Sequence, residues 1–93
     1  MELQLANMMK CLVQQELERM MDHYPDVCHC ERCVLDIQAI ALNNLPPHYV
    51  VSRKGELLAK AENMSLQRQV DVQAALIKAI QVVHRCPRHG FDA

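Results

Sequence analysis

The run Val27-Cys28-His29-Cys30-Glu31-Arg32-Cys33 puts three thiols within six residues, and a fourth stands far downstream at Cys86, just before Pro87. Structural zinc takes four ligands in a tetrahedron, most often thiolates and imidazoles. Cys30 and Cys33 are three apart, so in one helical turn they share a face and can grip the same ion. Cys28 can fold back from the preceding loop, and Cys86 can arrive from the tail. The spacing therefore predicts one zinc ion on Cys28, Cys30, Cys33 and Cys86, fastening the start of a central helix to the C-terminal end. His29, His84 and His89 are close enough in sequence to stand in for Cys86. An iron–sulfur cluster, a disulfide, or plainly reduced thiols are the competing readings. Cys11, alone within a helical pattern, reads as a small core residue.

The surroundings favour a metal. A helix N-terminus beneath Cys30 and Cys33 offers free N–H groups and partial positive charge to bound thiolates. Arg32, Arg85 and Arg88 flank the ligands and can offset the remaining negative charge. Four thiolates leave neither an open coordination position nor a general base, so the site does not read as a hydrolase. No nucleophile–base pair is evident elsewhere, and the chain reads as a non-enzyme.

Periodicity gives an all-α chain of four helices in one domain, residues 1–93. The first covers residues 3–22, with Ala6, Met9, Val13, Leu17 and Met20 on one face. Pro25 stops it by disfavouring helical geometry at Tyr24. The second runs from about Cys30 to Asn44; it is apolar nearly all round, which places it inside a bundle. Asp36, on that apolar helix, calls for a partner: a cap, an arginine contact or a dimer-interface bond. Pro46-Pro47 gives a stiff exit into His48-Tyr49-Val50-Val51, an extended stretch without an evident strand partner. His48 reads as exposed, and Tyr49 as packed under the prolines. Ser52 caps a third helix over residues 53–63, with Leu57, Leu58, Ala61 and Met64 facing inward. Ser65 caps a fourth reaching about Val83, with Leu66, Val70, Ala74, Ile77 and Ile80 as its main stripe, extended by Leu76 and Val83.

Composition narrows the partners. Hydrophobic residues make up 51% of the chain, yet only Tyr24, Tyr49 and Phe91 are aromatic. A domain this small cannot hide so much apolar surface, which points to a homodimer sharing an apolar face, alongside a metal staple. A net charge of -1 does not suit a protein coating nucleic acid, and the dearth of aromatics does not suit a base-stacking platform. No stretch is apolar enough to span a bilayer, and no basic leader precedes an apolar segment, so the expected location is the cytoplasm. In that reducing compartment clustered cysteines serve metals more often than disulfides.

The stretch from Cys28 through Asp36-Ile37, Leu42-Asn43-Asn44-Leu45 and Pro46-Pro47-His48-Tyr49-Val50 resembles the signature of the late competence development protein family, ComFB. The likeness continues through Gly55-Glu56-Leu57, Ala61-Glu62 and the last helix, covering about residues 1–89. It implies a small helical bacterial protein that dimerises, carries a cysteine-built zinc site and is associated with natural competence. Those ligand roles fall on Cys28, Cys30, Cys33 and Cys86. On this basis the chain is expected to be a zinc-stabilised dimeric regulator or adaptor acting through a protein partner. Some members, cyanobacterial ones especially, are receptors for cyclic dinucleotides, which makes a c-di-GMP or c-di-AMP receptor the alternative. Arg53 and Lys54, beside a helix N-terminus, are where phosphates would sit in that case. The chain has only two glycines and no glycine-rich phosphate loop.

Overall fold

The computed structural model describes residues 3–63 and 65–86. Four helices follow one another: α1 (Met8–Met21), α2 (Glu31–Asn43), α3 (Arg53–Asn63) and α4 (Leu66–Arg85). Two strands of two residues each, β1 (Ala6–Asn7) and β2 (Tyr49–Val50), join as an antiparallel ribbon with Ala6 opposite Val50 and Asn7 opposite Tyr49. None of the helices is long and apolar enough to cross a membrane.

The helices begin where side chains can satisfy their free N–H groups. Asn7 caps α1 by accepting from the Met9 amide, and Ser65 caps α4 by accepting from Arg68 N at 3.2 Å. At the start of α3, Ser52 Oγ accepts from Gly55 N at 3.1 Å. Cys30 holds the same position for α2 and accepts from the Cys33 amide with its sulfur.

Three helices build the core. Met9, Leu12, Val13 and Leu17 come from α1, Cys33, Ile37 and Ala41 from α2, and Val72, Leu76, Ala79, Ile80 and Val83 from α4. The closest packing is between α2 and α4, with α1 laid against both. Val27, in the loop before the thiols, is buried with them. By contrast, α3 is peripheral and buries only Ala59 and Asn63.

Several expectations need correction. The first helix starts at Met8, not Leu3, and the extended stretch at Tyr49 does have a partner: it pairs with β1. Asn7 explains both. Its side-chain oxygen accepts from Met9 N at 3.1 Å and from His48 N at 2.9 Å, so one carboxamide starts the helix and pins the ribbon. Leu57 and Leu58 do not face inward; they are 57% and 60% exposed, and Ala61 is exposed as well. Along α4, Leu66, Val70, Ala74 and Ile77 lie on the outside, and the buried stripe is Val72, Leu76, Ala79, Ile80 and Val83. That helix carries apolar residues on two faces, and periodicity alone does not say which one meets the core. In α2, Leu35 and Ala39 are exposed, so one side of this helix is open. Tyr49 is exposed instead of packed, and His48 is half-buried, its Nδ1 3.7 Å from Glu62 Oε2. Met64 and Phe91 lie outside the described residues.

Replacing Asn7 removes two hydrogen bonds at once. Asn7→Ala should lower stability by about 1–2 kcal/mol, the range seen for lost helix caps. Asn7→Asp keeps the acceptor and should retain most of it. Urea denaturation followed by circular dichroism reads both variants, and equal midpoints for Asn7→Ala and wild type would refute the double role.

Candidate metal centre

The path into the site begins where α1 stops. His23 and Tyr24 amides bond back to Met20 and Met21 carbonyls, and Val27 N donates to Tyr24 O at 3.2 Å, closing the turn around Pro25. The His29 ring also reaches the Tyr24 carbonyl, Nε2 to O at 3.1 Å. Buried Val27 fixes the loop just before Cys28, while Cys30 takes extended geometry (φ -67, ψ 159) and Cys33 drops into the core from the first turn of α2.

This arrangement brings Cys28, Cys30 and Cys33 together, their sulfurs all within 4.8 Å of one another. Sulfurs around a tetrahedral zinc with bonds of about 2.3 Å are roughly 3.8 Å apart. The three thiols thus have the donor chemistry and the spacing for three vertices. Cys28 and Cys30 are half-buried and Cys33 fully buried, so the cluster opens outward from the protein interior.

Burial pushes the Cys33 thiol from an ordinary 9.0 up to about 12, and its hydrogen bonds to Cys28 and Cys30 push the same way. Without a metal, Cys33 stays protonated at neutral pH. A cation arriving there must displace that proton, so uptake releases acid and weakens as pH falls. In the metal-free protein the linkage has the opposite sense at high pH. An unfolded chain gives up this proton near pH 9 while the folded one holds it to about 12, so this group costs stability as pH rises through that window.

Cys86 stands outside the group of three. It is the C-terminal cap residue of α4, exposed, with its amide donating to Val82 O at 3.2 Å. It lines a surface hollow together with Asp36, Ala39 and Asn43 of α2. The hollow therefore begins one turn beyond Cys33 along α2. Of the alternative fourth ligands, His29 is exposed with its ring at the Tyr24 carbonyl, His84 is exposed on α4, and His89 lies outside the described residues. Arg88 lies outside them too. Arg32 Nε binds Asp36 at 3.2 Å, so of the partners expected for Asp36 it is an arginine that is present.

One buried carboxylate was missed in the sequence. Glu16 is 2% exposed, ion-paired to Arg19 on its own helix, and accepts from Gln73 Nε2 of α4 at 3.2 Å. Its position carried a signal. Leu12, Val13, Leu17 and Met20 surround it at helical spacings of four, three, one and four, which seats a carboxylate on the apolar face.

Comparison with known proteins now has a structure to refer to. The family model for late competence development protein ComFB matches residues 6–87. The chain belongs to the ComFB family. Competence protein ComFB of Bacillus subtilis (strain 168) is 30% identical over 83 residues, covering 89% of this chain and 85% of that protein. The solved structure of late competence protein ComFB from Bacillus subtilis superposes with a TM-score of 0.81 at 28% identity, covering 96% of this chain and all of that one. All of the described elements and all four expected ligand cysteines lie within the matched family span.

In the folded, metal-stripped protein, an alkylating reagent at pH 7.5 should modify exposed Cys86 first. Cys33 should react slowest, by roughly tenfold or more, because a buried neutral thiol is a poor nucleophile. Peptide mass spectrometry over a time course follows each cysteine. Equal rates for Cys33 and Cys86 would contradict the burial described above.

Proposed function

We propose that this ComFB family member is a non-enzymatic, zinc-stabilised homodimer that serves as a regulator or adaptor in bacterial competence through a protein partner. The observation that supports it most is the three-sulfur cluster with one sulfur inside the core. An ion bound there joins the Tyr24–Val27 turn to α2, so metal affinity adds to folding stability instead of powering a reaction. Cys86 is the proposed fourth ligand, drawn in from the adjoining hollow on α2. Zinc, when bound, supplies charge and a fixed tetrahedron; the residues supply burial, the α2 N-terminus and an arginine nearby at position 32. The family name supports the link to competence, and the apolar residues left on the surface support partners.

Elemental analysis of protein purified without chelator should give one zinc per chain. Cys33→Ser should lose it and lower the thermal midpoint; folded wild-type protein containing no zinc would end this reading. Alkylation tests the fourth ligand. Cys86 should be protected in the zinc form and labelled after chelation. Light scattering should return twice the 10.7 kDa chain mass.

A second reading, a cyclic dinucleotide receptor, is favoured by one observation. Arg53 and Lys54 are both exposed at the start of α3, and Arg53 borders a hollow with Gln4, Ser52 and Glu56. Arginine at a helix N-terminus suits a phosphate, although Glu56 in the same hollow opposes one and Ser52 already caps the Gly55 amide. Calorimetric titration with c-di-GMP and c-di-AMP at physiological salt separates the readings. Saturable binding weakened by about tenfold or more in Arg53→Ala would favour the receptor, and absence of heat and of any melting shift would eliminate it.

A further inference from the structure

The α4 helix has a second apolar stripe that the fold does not use. Leu66, Val70 and Ile77 are 76%, 48% and 39% exposed, and Ala74, between the last two, is exposed as well. The spacing of four, four and three keeps them in line along the helix. Isolated exposed apolar residues need no explanation, but a helical row of them on the outer side of a core helix does.

The charges beside the row indicate what covers it. Asp71 and Lys78 are both exposed, seven residues apart on one flank of the stripe, and Ala74 stands midway between them. Asp71 Oδ1 accepts from Gln67 at 2.8 Å, while Lys78 makes no ion pair among the described residues. In a two-fold pair each residue meets a counterpart and the relation is reciprocal. If a second α4 crosses antiparallel at Ala74, the residue three before the crossing faces a residue four after it on the same flank. Asp71 then faces Lys78 of the second copy, and Lys78 faces Asp71. On the other flank Val70 faces Ile77 in the same reciprocal way. Small Ala74 at the crossing lets the two helices approach at the close end of the usual 8–10 Å range.

We infer that the homodimer proposed above is formed through this face, by antiparallel packing of α4 on α4 of a second copy about Ala74. The inference rests on the dimer reading but adds to it, since a dimer could instead use the apolar residues around α3 and the ribbon. A row of apolar residues would drive association, and the Asp71–Lys78 pairs would set direction and register.

Charge reversal with mixing tests it. Asp71→Lys places two lysines against two lysines, and Lys78→Asp places two aspartates against two aspartates. Each variant alone should dissociate about tenfold more readily than wild type in sedimentation equilibrium at low salt. Both changes are at exposed positions, so the circular dichroism spectrum should stay close to wild type. Mixing the two variants should restore dimers, because every lysine then faces an aspartate; the double variant Asp71→Lys/Lys78→Asp should recover as well. Raising the salt concentration should shrink all of these differences. A wild-type protein that stays monomeric overturns both the dimer and this face. A dimer that ignores the single reversals, or that mixing fails to rescue, overturns this face and leaves the dimer standing.

Discussion

The constraint everything else depends on is the position of Cys33, which is a ligand candidate and a core residue at once. Its side chain is fully buried beside Ile37 and Ala41 on the same face of α2. An exposed metal site can be lost without disturbing a fold, but a thiol that also fills the core cannot be changed without a cavity or a buried polar group. This is why the loop before α2 is so well determined. Val27 is buried, the Tyr24 carbonyl receives both the Val27 amide and the His29 ring, and Cys30 caps the helix with its own sulfur. Each of these contacts orients the thiols, and an ion bound among them would reinforce the same geometry.

The sulfur cap deserves comparison with the other three helix starts. Asn7, Ser52 and Ser65 accept with oxygen at 3.1–3.2 Å, whereas the Cys30 sulfur accepts from Cys33 N at 3.4 Å. Sulfur is the weaker acceptor. A neutral thiol at that position is therefore a poor cap, and a thiolate a better one, because the charge strengthens the bond and meets the positive end of the helix. An ion bound there would convert the first into the second, and would couple the start of α2 to the cysteine cluster through a single atom.

Much of this was legible in the sequence. The cysteine spacing identified the three clustered thiols, Pro25 and Pro46-Pro47 marked the ends of α1 and α2, and Ser52 and Ser65 marked the starts of α3 and α4. The misplaced apolar residues share one physical reason: a sequence shows which residues are apolar, but not which apolar face finds a neighbour. Leu57 and Leu58 of α3 and the outer row of α4 have the composition of a core and lie outside it. The pairing of β1 with β2 was hidden differently. Two strands of two residues each carry no alternation to detect, and the contact joins residues more than forty apart through Asn7, whose side chain reads locally as a cap. Cys86 is a separate matter. Sequence spacing says that a distal thiol exists, whereas its distance from the cluster depends on how α4 ends.

The two ends of α1 show how this small chain is held. At one end Asn7 joins the helix to the ribbon, and Asn63 of α3 donates to the Met8 carbonyl at 3.5 Å. At the other end the helix runs into the turn that carries the thiols. Between them Glu16 reaches across to Gln73, so the middle of α1 is tied to α4 by a buried carboxylate and not by apolar packing alone. Such a carboxylate is tolerated because both oxygens have donors, Arg19 on its own helix and Gln73 on α4, and the second adds one polar contact to the apolar packing of α1 on α4. The orientation of α4 follows the burial of Val72, Leu76, Ala79, Ile80 and Val83, which leaves Val70, Ala74 and Ile77 outside. The Gln73–Glu16 contact is made in that same orientation, from a residue next to buried Val72.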